Sequence, residues 1–154
     1  PNEINNYEDF IEGVIYPDSV TDKSLTHYGP TSSQVNLKRF FEDKDINTDF
    51  NKGYCIHLIT DYLFYNKFLT IFSSNYIYND YDILNKELKR KFEVKIPQKV
   101  EDKVFYTEGE TRILNLKDTI KFIEETSSNN INDIKKAVFS GDKDWLEIRP
   151  LKRI

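Results

Sequence analysis

Cysteine is almost absent from this chain, since Cys55 is the only one among 154 residues. One cysteine excludes an internal disulfide, and a free thiol fits a reducing compartment. The sequence opens with Pro1, and its first residues do not resemble a signal peptide. If Pro1 follows a removed initiator Met, we expect a cytoplasmic protein; if the natural start lies upstream, secretion stays open.

A long uninterrupted apolar run is also lacking. The longest apolar stretch, 54–72, is broken by His57, Thr60, Asp61, Asn66, Lys67 and Thr70. Inserting these polar groups into lipid is costly, so we expect no transmembrane segment. A basic excess is missing too, because 22 Lys and Arg oppose 26 Asp and Glu and give a net charge of −4. Binding to duplex nucleic acid relies on a basic face, so such a partner is not expected.

The residues that are present indicate a folded helical protein. Hydrophobic residues make up 38 % and charged residues 31 %, and the length suits one domain spanning 1–154. Apolar residues recur at helical spacing in 5–13, 37–43, 53–73, 79–92, 116–126 and 131–139. Segment 53–73 has apolar residues at nearly every angle, which is typical of a helix surrounded by others. The prediction is an all-α fold: a compact helical bundle around a buried central helix.

Three segments are predicted to lack helix. Residues 16–33 are rich in turn formers and are predicted to form a long N-terminal loop. Residues 100–107 fit either a short strand or an irregular loop. The central helix follows a second loop, 45–51, in which Asp49 and Asn51 are the candidate N-caps.

Only two histidines occur, and one of them shares a helix face with an aspartate. His57 and Asp61 stand four residues apart on the predicted central helix, so their side chains lie one turn apart. An aspartate in apolar surroundings is costly unless it is paired, and no Lys or Arg lies one turn away. A divalent cation would neutralise Asp61 and take the imidazole as a second ligand. A plain hydrogen-bonded pair is the alternative interpretation.

The predicted N-terminal loop supplies two further candidate ligands. Pro17 fixes the backbone before Asp18, and Gly29 permits a tight turn just after His27. Two imidazoles and two carboxylates suit zinc, and the same set also suits manganese or iron. Taken alone, Asp18 is equally a turn former and His27 an ordinary loop residue.

Three segments together resemble the zinc-dependent phospholipase C family. They are Phe10-Ile-Glu-Gly-Val-Ile-Tyr-Pro-Asp18, Thr26-His-Tyr-Gly29 and Gly53-Tyr-Cys-Ile-His-Leu-Ile-Thr-Asp-Tyr62. The family pattern has a Gly-x-x-x-Pro-Asp turn, a His in the next loop, and a helix with Gly-x-x-x-His-Leu-x-x-Asp. The resemblance implies an all-α fold in which one zinc of a cluster is bound by Asp18, His27, His57 and Asp61. The later histidines of the family have no counterpart here.

The resemblance implies a metal-dependent hydrolase, a phosphoesterase acting on a phosphoester small molecule or lipid headgroup. The metal would polarise a phosphoryl oxygen and generate a nucleophilic water, which Asp18 or Asp61 would orient. The alternative is a degenerate family member, in which a structural metal closed by four protein ligands supports a binding or interaction module. A helical scaffold without a metal is a third interpretation.

Overall fold

The computed structural model describes residues 3–154, and its backbone contacts divide the chain into two compact units. The first comprises the residues up to Leu69 together with Glu125–Pro150. The second comprises Thr70–Glu124 together with Leu151–Ile154. The expected single domain over 1–154 stays a prediction.

The described residues form eight α-helices and two strands of two residues each, which confirms the all-α prediction. The first unit contains α1 (Tyr7–Ile15), α2 (Ser24–His27), α3 (Leu37–Asp43), α4 (Asp49–Leu63) and α8 (Ile131–Phe139). The second contains α5 (Ile77–Phe92), α6 (Gln98–Glu101) and most of α7 (Leu116–Ser127). It also holds β1 (Ile71–Phe72) and β2 (Lys152–Arg153), which pair in parallel with Ile71 opposite Lys152. None of these helices combines the length and apolarity that a membrane crossing requires.

Side-chain caps explain where five of the helices begin. The oxygen of each capping residue accepts the backbone N–H three residues later, which satisfies one of the free donors at a helix start. The five caps are Asn6, Asn36, Thr48, Asn115 and Asn130. For α4 the cap is therefore Thr48 rather than Asp49 or Asn51, and the Asn51 amide donates to its hydroxyl at 3.2 Å.

The segment 16–33 is more ordered than the sequence predicted. It contains two 3-10 turns, Tyr16–Asp18 and Ser32–Gln34, besides α2. Each of these pieces is a single turn, which is too short to show an apolar period. Segment 100–107 begins at the end of α6 and is otherwise irregular, so of the two alternatives the irregular one is confirmed.

The central helix ends earlier than its apolar pattern predicts. α4 stops at Leu63 and continues as one π-helical turn, Phe64–Phe68, before β1. Asn66 lies in that turn, where its amide nitrogen donates to the Tyr62 carbonyl at 2.9 Å and its amide oxygen accepts the Arg149 N–H at 2.7 Å. A polar side chain thus holds the backbone in the wider turn through a contact with a distant part of the chain.

The core of the first unit surrounds α4, as predicted. Tyr54, Cys55, Leu58, Ile59 and Tyr62 of this helix are all buried. They belong to one apolar cluster with residues of α3, α8 and the loops beside them, namely Val35, Leu37, Phe40, Phe41, Ile46, Ile131, Ile134 and Val138. Because these residues pack α4 into the core, the helix holds its other side chains in fixed positions.

Two glycines bring α1 into backbone contact with α4. A Cβ atom on Gly13 would lie 1.9 Å from the Phe50 carbonyl oxygen, and one on Gly53 would lie 2.0 Å from the Phe10 carbonyl oxygen. No side chain fits in either space, so glycine alone permits this approach. The contact fixes the end of α1, and the turn that follows it, beside α4.

We predict that Gly53→Ala destabilises the protein although alanine favours a helix. The propensity gain is about 1 kcal/mol, whereas forcing a methyl group against a packed backbone costs about 1 to 3 kcal/mol or more. Thermal and urea unfolding should therefore show a lower midpoint. Glu8→Ala, at an exposed position of α1, is the control and should change stability little. A Gly53→Ala protein at least as stable as wild type would mean that the two helices separate without cost.

Candidate metal centre

The structure brings all four predicted ligands together. Asp18 ends the 3-10 turn after α1, His27 ends α2, and His57 and Asp61 lie one turn apart on α4. Asp61 Oδ2 lies 3.1 Å from His27 Nε2 and 3.2 Å from His57 Nε2. The Asp18 carboxylate lies 3.5 Å from His57 Nε2 and 3.7 Å from His27 Nε2. Each of the two carboxylates therefore lies close to both imidazoles, and the four side chains come from three elements.

Three of the four side chains, those of Asp18, His27 and His57, are spaced like the ligands of one small cation. Zinc binds nitrogen and oxygen ligands at about 2.0 to 2.1 Å in a tetrahedron, which places neighbouring ligand atoms about 3.3 Å apart. The four distances between imidazole and carboxylate run from 3.1 to 3.7 Å and bracket that value. Asp18, His27 and His57 each offer one ligand atom within 4.8 Å of the other two.

Both imidazoles are held by their other ring nitrogen. His57 Nδ1 lies 2.7 Å from the Val14 carbonyl oxygen, and His27 Nδ1 lies 3.1 Å from the Lys23 carbonyl oxygen. A carbonyl only accepts, so Nδ1 carries a proton, and each ring in its neutral form would present its Nε2 lone pair to the cluster. Histidines that bind metals are oriented in this way in other proteins.

His57 Nε2 is a buried atom that finds no hydrogen-bond partner among the described residues. It lies close to both carboxylates but is not aligned to donate to either one. A buried polar atom without a partner is costly, and it calls for an explanation. An ion bound between His57, Asp61 and Asp18 would supply the missing partner.

Thr26 fixes His27 to its surroundings. Its buried hydroxyl donates to the Pro17 carbonyl at 2.8 Å and lies 3.0 Å from His27 Nδ1. Its own carbonyl accepts the hydroxyl of Tyr54 on α4 at 2.6 Å. Thr26 therefore ties His27 both to the turn that carries Asp18 and to the central helix.

Lys23 joins the two ligands of the N-terminal segment. Its Nζ donates to the Asp18 carbonyl at 3.0 Å and to the Val20 carbonyl at 3.1 Å, and lies 3.5 Å from Asp18 Oδ1. Its backbone carbonyl faces His27. The sequence did not predict roles for Lys23 and Thr26. The only indication for Thr26 was its position directly before His27, in a segment that resembles the phospholipase family.

The cluster is closed on one side and open on the other. The His27 side chain is fully buried, and those of His57 and Asp61 are 13 % and 22 % exposed. The Asp18 side chain is 57 % exposed. Solvent therefore reaches the cluster from the side of Asp18.

Opposite charges dominate the cluster when no metal is bound. Burial alone lowers the pKa of His57, but the proximity and negative charge of Asp18 and Asp61 outweigh it and raise this pKa to about 10. Burial raises the pKa of Asp18, yet the contact with His57 and the charge of Lys23 lower it to about 2. Without a metal, His57 is thus a cation at neutral pH, paired with these carboxylates.

Comparisons with protein-family models, with curated proteins and with solved structures found no match. The resemblance to zinc-dependent phospholipase C therefore stays a prediction that rests on the residues quoted for it.

We predict that the protein binds one divalent ion per chain. Binding only to the folded state adds about 2.7 kcal/mol at a free metal concentration a hundredfold above Kd, or about 5 to 10 °C in Tm. Chelation should remove this gain and expose 19–33 to proteases. Asp18→Asn should lose part of it, and His57→Ala should lose more because the largely buried Asp61 also loses the protonated imidazole that balances its charge.

Elemental analysis measures the bound metal, and melting curves measure the change in Tm. Asp9→Asn, on the exposed surface of α1, is the matched control and should bind the ion like wild type. A chelated protein that melts with the untreated one, or a preparation that takes up no zinc or manganese, would show that these residues share no ion.

We predict opposite pH trends for the metal-free and the metal-bound protein. The folded pKa of His57 is about 10, above its ordinary 6.5, so its stabilising contribution is full below pH 6.5 and is lost as the pH rises through 10. The folded pKa of Asp18 is about 2, below its ordinary 3.8, so its contribution is present above pH 3.8 and is lost as the pH falls through 2. The metal-free cluster should therefore be strongest between these ordinary values.

Metal binding should show the reverse trend, because it must displace the proton from His57. The rise in Tm caused by zinc should grow as the pH increases from about 6 to about 8, since protons compete less with the metal. Melting curves with and without zinc across this range measure the difference. A zinc effect that is equal at every pH would contradict the assignment of His57 as a ligand.

Proposed function

We propose that this chain is a metal-dependent hydrolase that acts on a phosphoester, in line with its resemblance to zinc-dependent phospholipase C. The observation that carries the proposal is the uneven exposure of the cluster. His27, His57 and Asp61 would hold the ion from the buried side, while the Asp18 carboxylate lies at the surface. An ion bound there would face solvent, and a water or substrate oxygen would reach it past Asp18.

Zinc is the proposed ion, because two imidazoles and two carboxylates at these spacings suit its tetrahedral preference. Manganese and iron accept the same donor atoms. When bound, such an ion polarises a phosphoryl oxygen and lowers the pKa of a bound water towards neutrality.

The residues around the ion would divide the remaining tasks. The two imidazoles would hold it through Nε2, and Asp61, whose carboxylate lies close to both of them, would balance its charge. Asp18 has two carboxylate oxygens near the imidazoles, so the oxygen that does not bind the ion would accept a proton from the attacking water. Lys23 places an ammonium 3.5 Å from Asp18 on the same exposed edge, which favours an anionic substrate.

A structural metal in an interaction module is the second candidate. The observation that favours it is that Asp18, His27 and His57 already lie at ligand spacing and Asp61 contacts both imidazoles, since a site closed by four protein ligands is typical of structural zinc. The two functions differ in one respect, which is whether a fifth group reaches the ion.

We predict chelator-sensitive cleavage of an activated phosphoester such as 4-nitrophenyl phosphate or its phosphocholine ester. Activity should disappear with a chelator and return with zinc, because both the ion and its water are lost. His57→Ala should abolish it for the same reason. Lys23→Met should raise KM for these anions more than it lowers kcat.

The control for this experiment is Lys38→Met, which removes a charge from an exposed position of α3. Equal rates for wild type and His57→Ala would assign the activity to a contaminant. Zinc-loaded protein that stabilises as expected but cleaves neither ester would favour the structural role.

A further inference from the structure

A second candidate site lies in the first unit, on the part of the chain that follows His27. It is a cavity of about 310 Å³, which we call the Arg39 cavity. Its walls include Tyr28, Pro30, Val35, Arg39, Trp145 and Ile148. Small-molecule sites are typically apolar clefts of about 300 to 1,000 Å³ with a few well-placed polar groups, and this cavity falls at the lower end of that range.

Arg39 is a cation without an anionic partner in the described part of the chain. Its guanidinium makes one hydrogen bond, from Nη1 to the Tyr28 carbonyl oxygen at 3.4 Å. Asp43 lies one turn further along α3, where it would ordinarily pair with Arg39. Its carboxylate instead accepts the Tyr28 hydroxyl at 2.5 Å and lies 3.9 Å from Lys44 Nζ. The planar fork of Arg39 therefore keeps donors available for an oxyanion.

The aromatic walls of the cavity are held rigidly. Trp145 stacks on Tyr62 of α4 with ring centroids 5.9 Å apart and an interplanar angle of 26°. Tyr28 packs edge-on against buried Phe40 at 5.8 Å. Fixed aromatic faces bind an apolar body with little loss of conformational entropy. The cavity thus joins a flat apolar surface to a single positive charge.

We propose that the Arg39 cavity binds a small organic anion, with a carboxylate or phosphate group at Arg39 and an apolar body against Trp145. The volume suits a molecule about as large as an aromatic amino acid. This site shares no side chain with the metal cluster, and the proposal does not depend on the metal.

The fluorescence of Trp145 reports on the cavity directly, because it is the only tryptophan of the chain. Chelator-treated protein is titrated with phenylacetate, with phenyl phosphate and with uncharged phenylacetamide. At least one of the two anions should give a saturable change, and the amide should bind about tenfold more weakly or worse, because it lacks the charge-assisted hydrogen bonds. Saturation by one anion alone identifies which oxyanion the cavity selects.

Variants at two neighbouring positions test the role of Arg39. Arg39→Gln should weaken anion binding by about tenfold or more, whereas Lys38→Gln removes the adjacent charge and should leave it unchanged. Both side chains are exposed, and melting curves of the two variants check that the fold is kept. The proposal is overturned by the absence of saturation with either anion, by equal binding of the amide, or by unchanged binding in Arg39→Gln. Because no metal is present, such a failure leaves the metal proposal standing.

Discussion

The contact between the backbones of α1 and α4 determines the geometry of the candidate metal centre. Gly13 and Gly53 let the two helices approach until a carbonyl oxygen of each occupies the space of a missing side chain on the other. This approach places the Val14 carbonyl against His57 Nδ1, and so turns the opposite nitrogen of that ring towards the cluster. It also brings the turn containing Asp18 beside α4. Both glycines belong to the segments that resemble the phospholipase family. Their physical role is to set the distance between the elements that carry the candidate ligands.

The charges of the two carboxylates can be balanced either by a protonated imidazole or by a bound ion, and these two possibilities explain the electrostatics of the cluster. Without a metal, protonated His57 balances the carboxylates, and its pKa rises accordingly. With a metal, the ion would take over that charge and the imidazole would become neutral. The two states place similar charge at the same point, so the fold would tolerate both. The unaligned Nε2 of His57 distinguishes them, because an ion satisfies it and the neighbouring carboxylates do not.

The sequence predicted what depends on local spacing and missed what depends on distant contacts. The helices at 37–43 and 131–139 have the predicted bounds because their apolar period lies within the segments and their asparagine caps directly precede them. The four-residue spacing of His57 and Asp61 predicts that they share one face of a helix, and their contact on α4 confirms it. The end of α4 could not be predicted, since it depends on Asn66 bonding to the backbone of Arg149, 83 residues away. The support of His27 by Tyr54 and Thr26 is likewise a contact across 28 residues that no periodicity reveals.

The backbone at Tyr28 shows how one short segment serves two sites. Tyr28 adopts a left-handed conformation with φ of 59°, and a non-glycine residue there carries a cost of about 1 to 3 kcal/mol. This conformation ends α2 directly after His27, and the Tyr28 side chain then lies in the wall of the Arg39 cavity. The His27 carbonyl, at the same junction, accepts the Asn36 N–H at 3.3 Å, and Asn36 also lines that cavity. Strain of this kind persists only where the surroundings determine it, and here Thr26, Phe40 and Asp43 do so through hydrogen bonds and ring packing. The junction between the two candidate sites is therefore among the most constrained parts of the N-terminal segment, although its sequence predicted a loop.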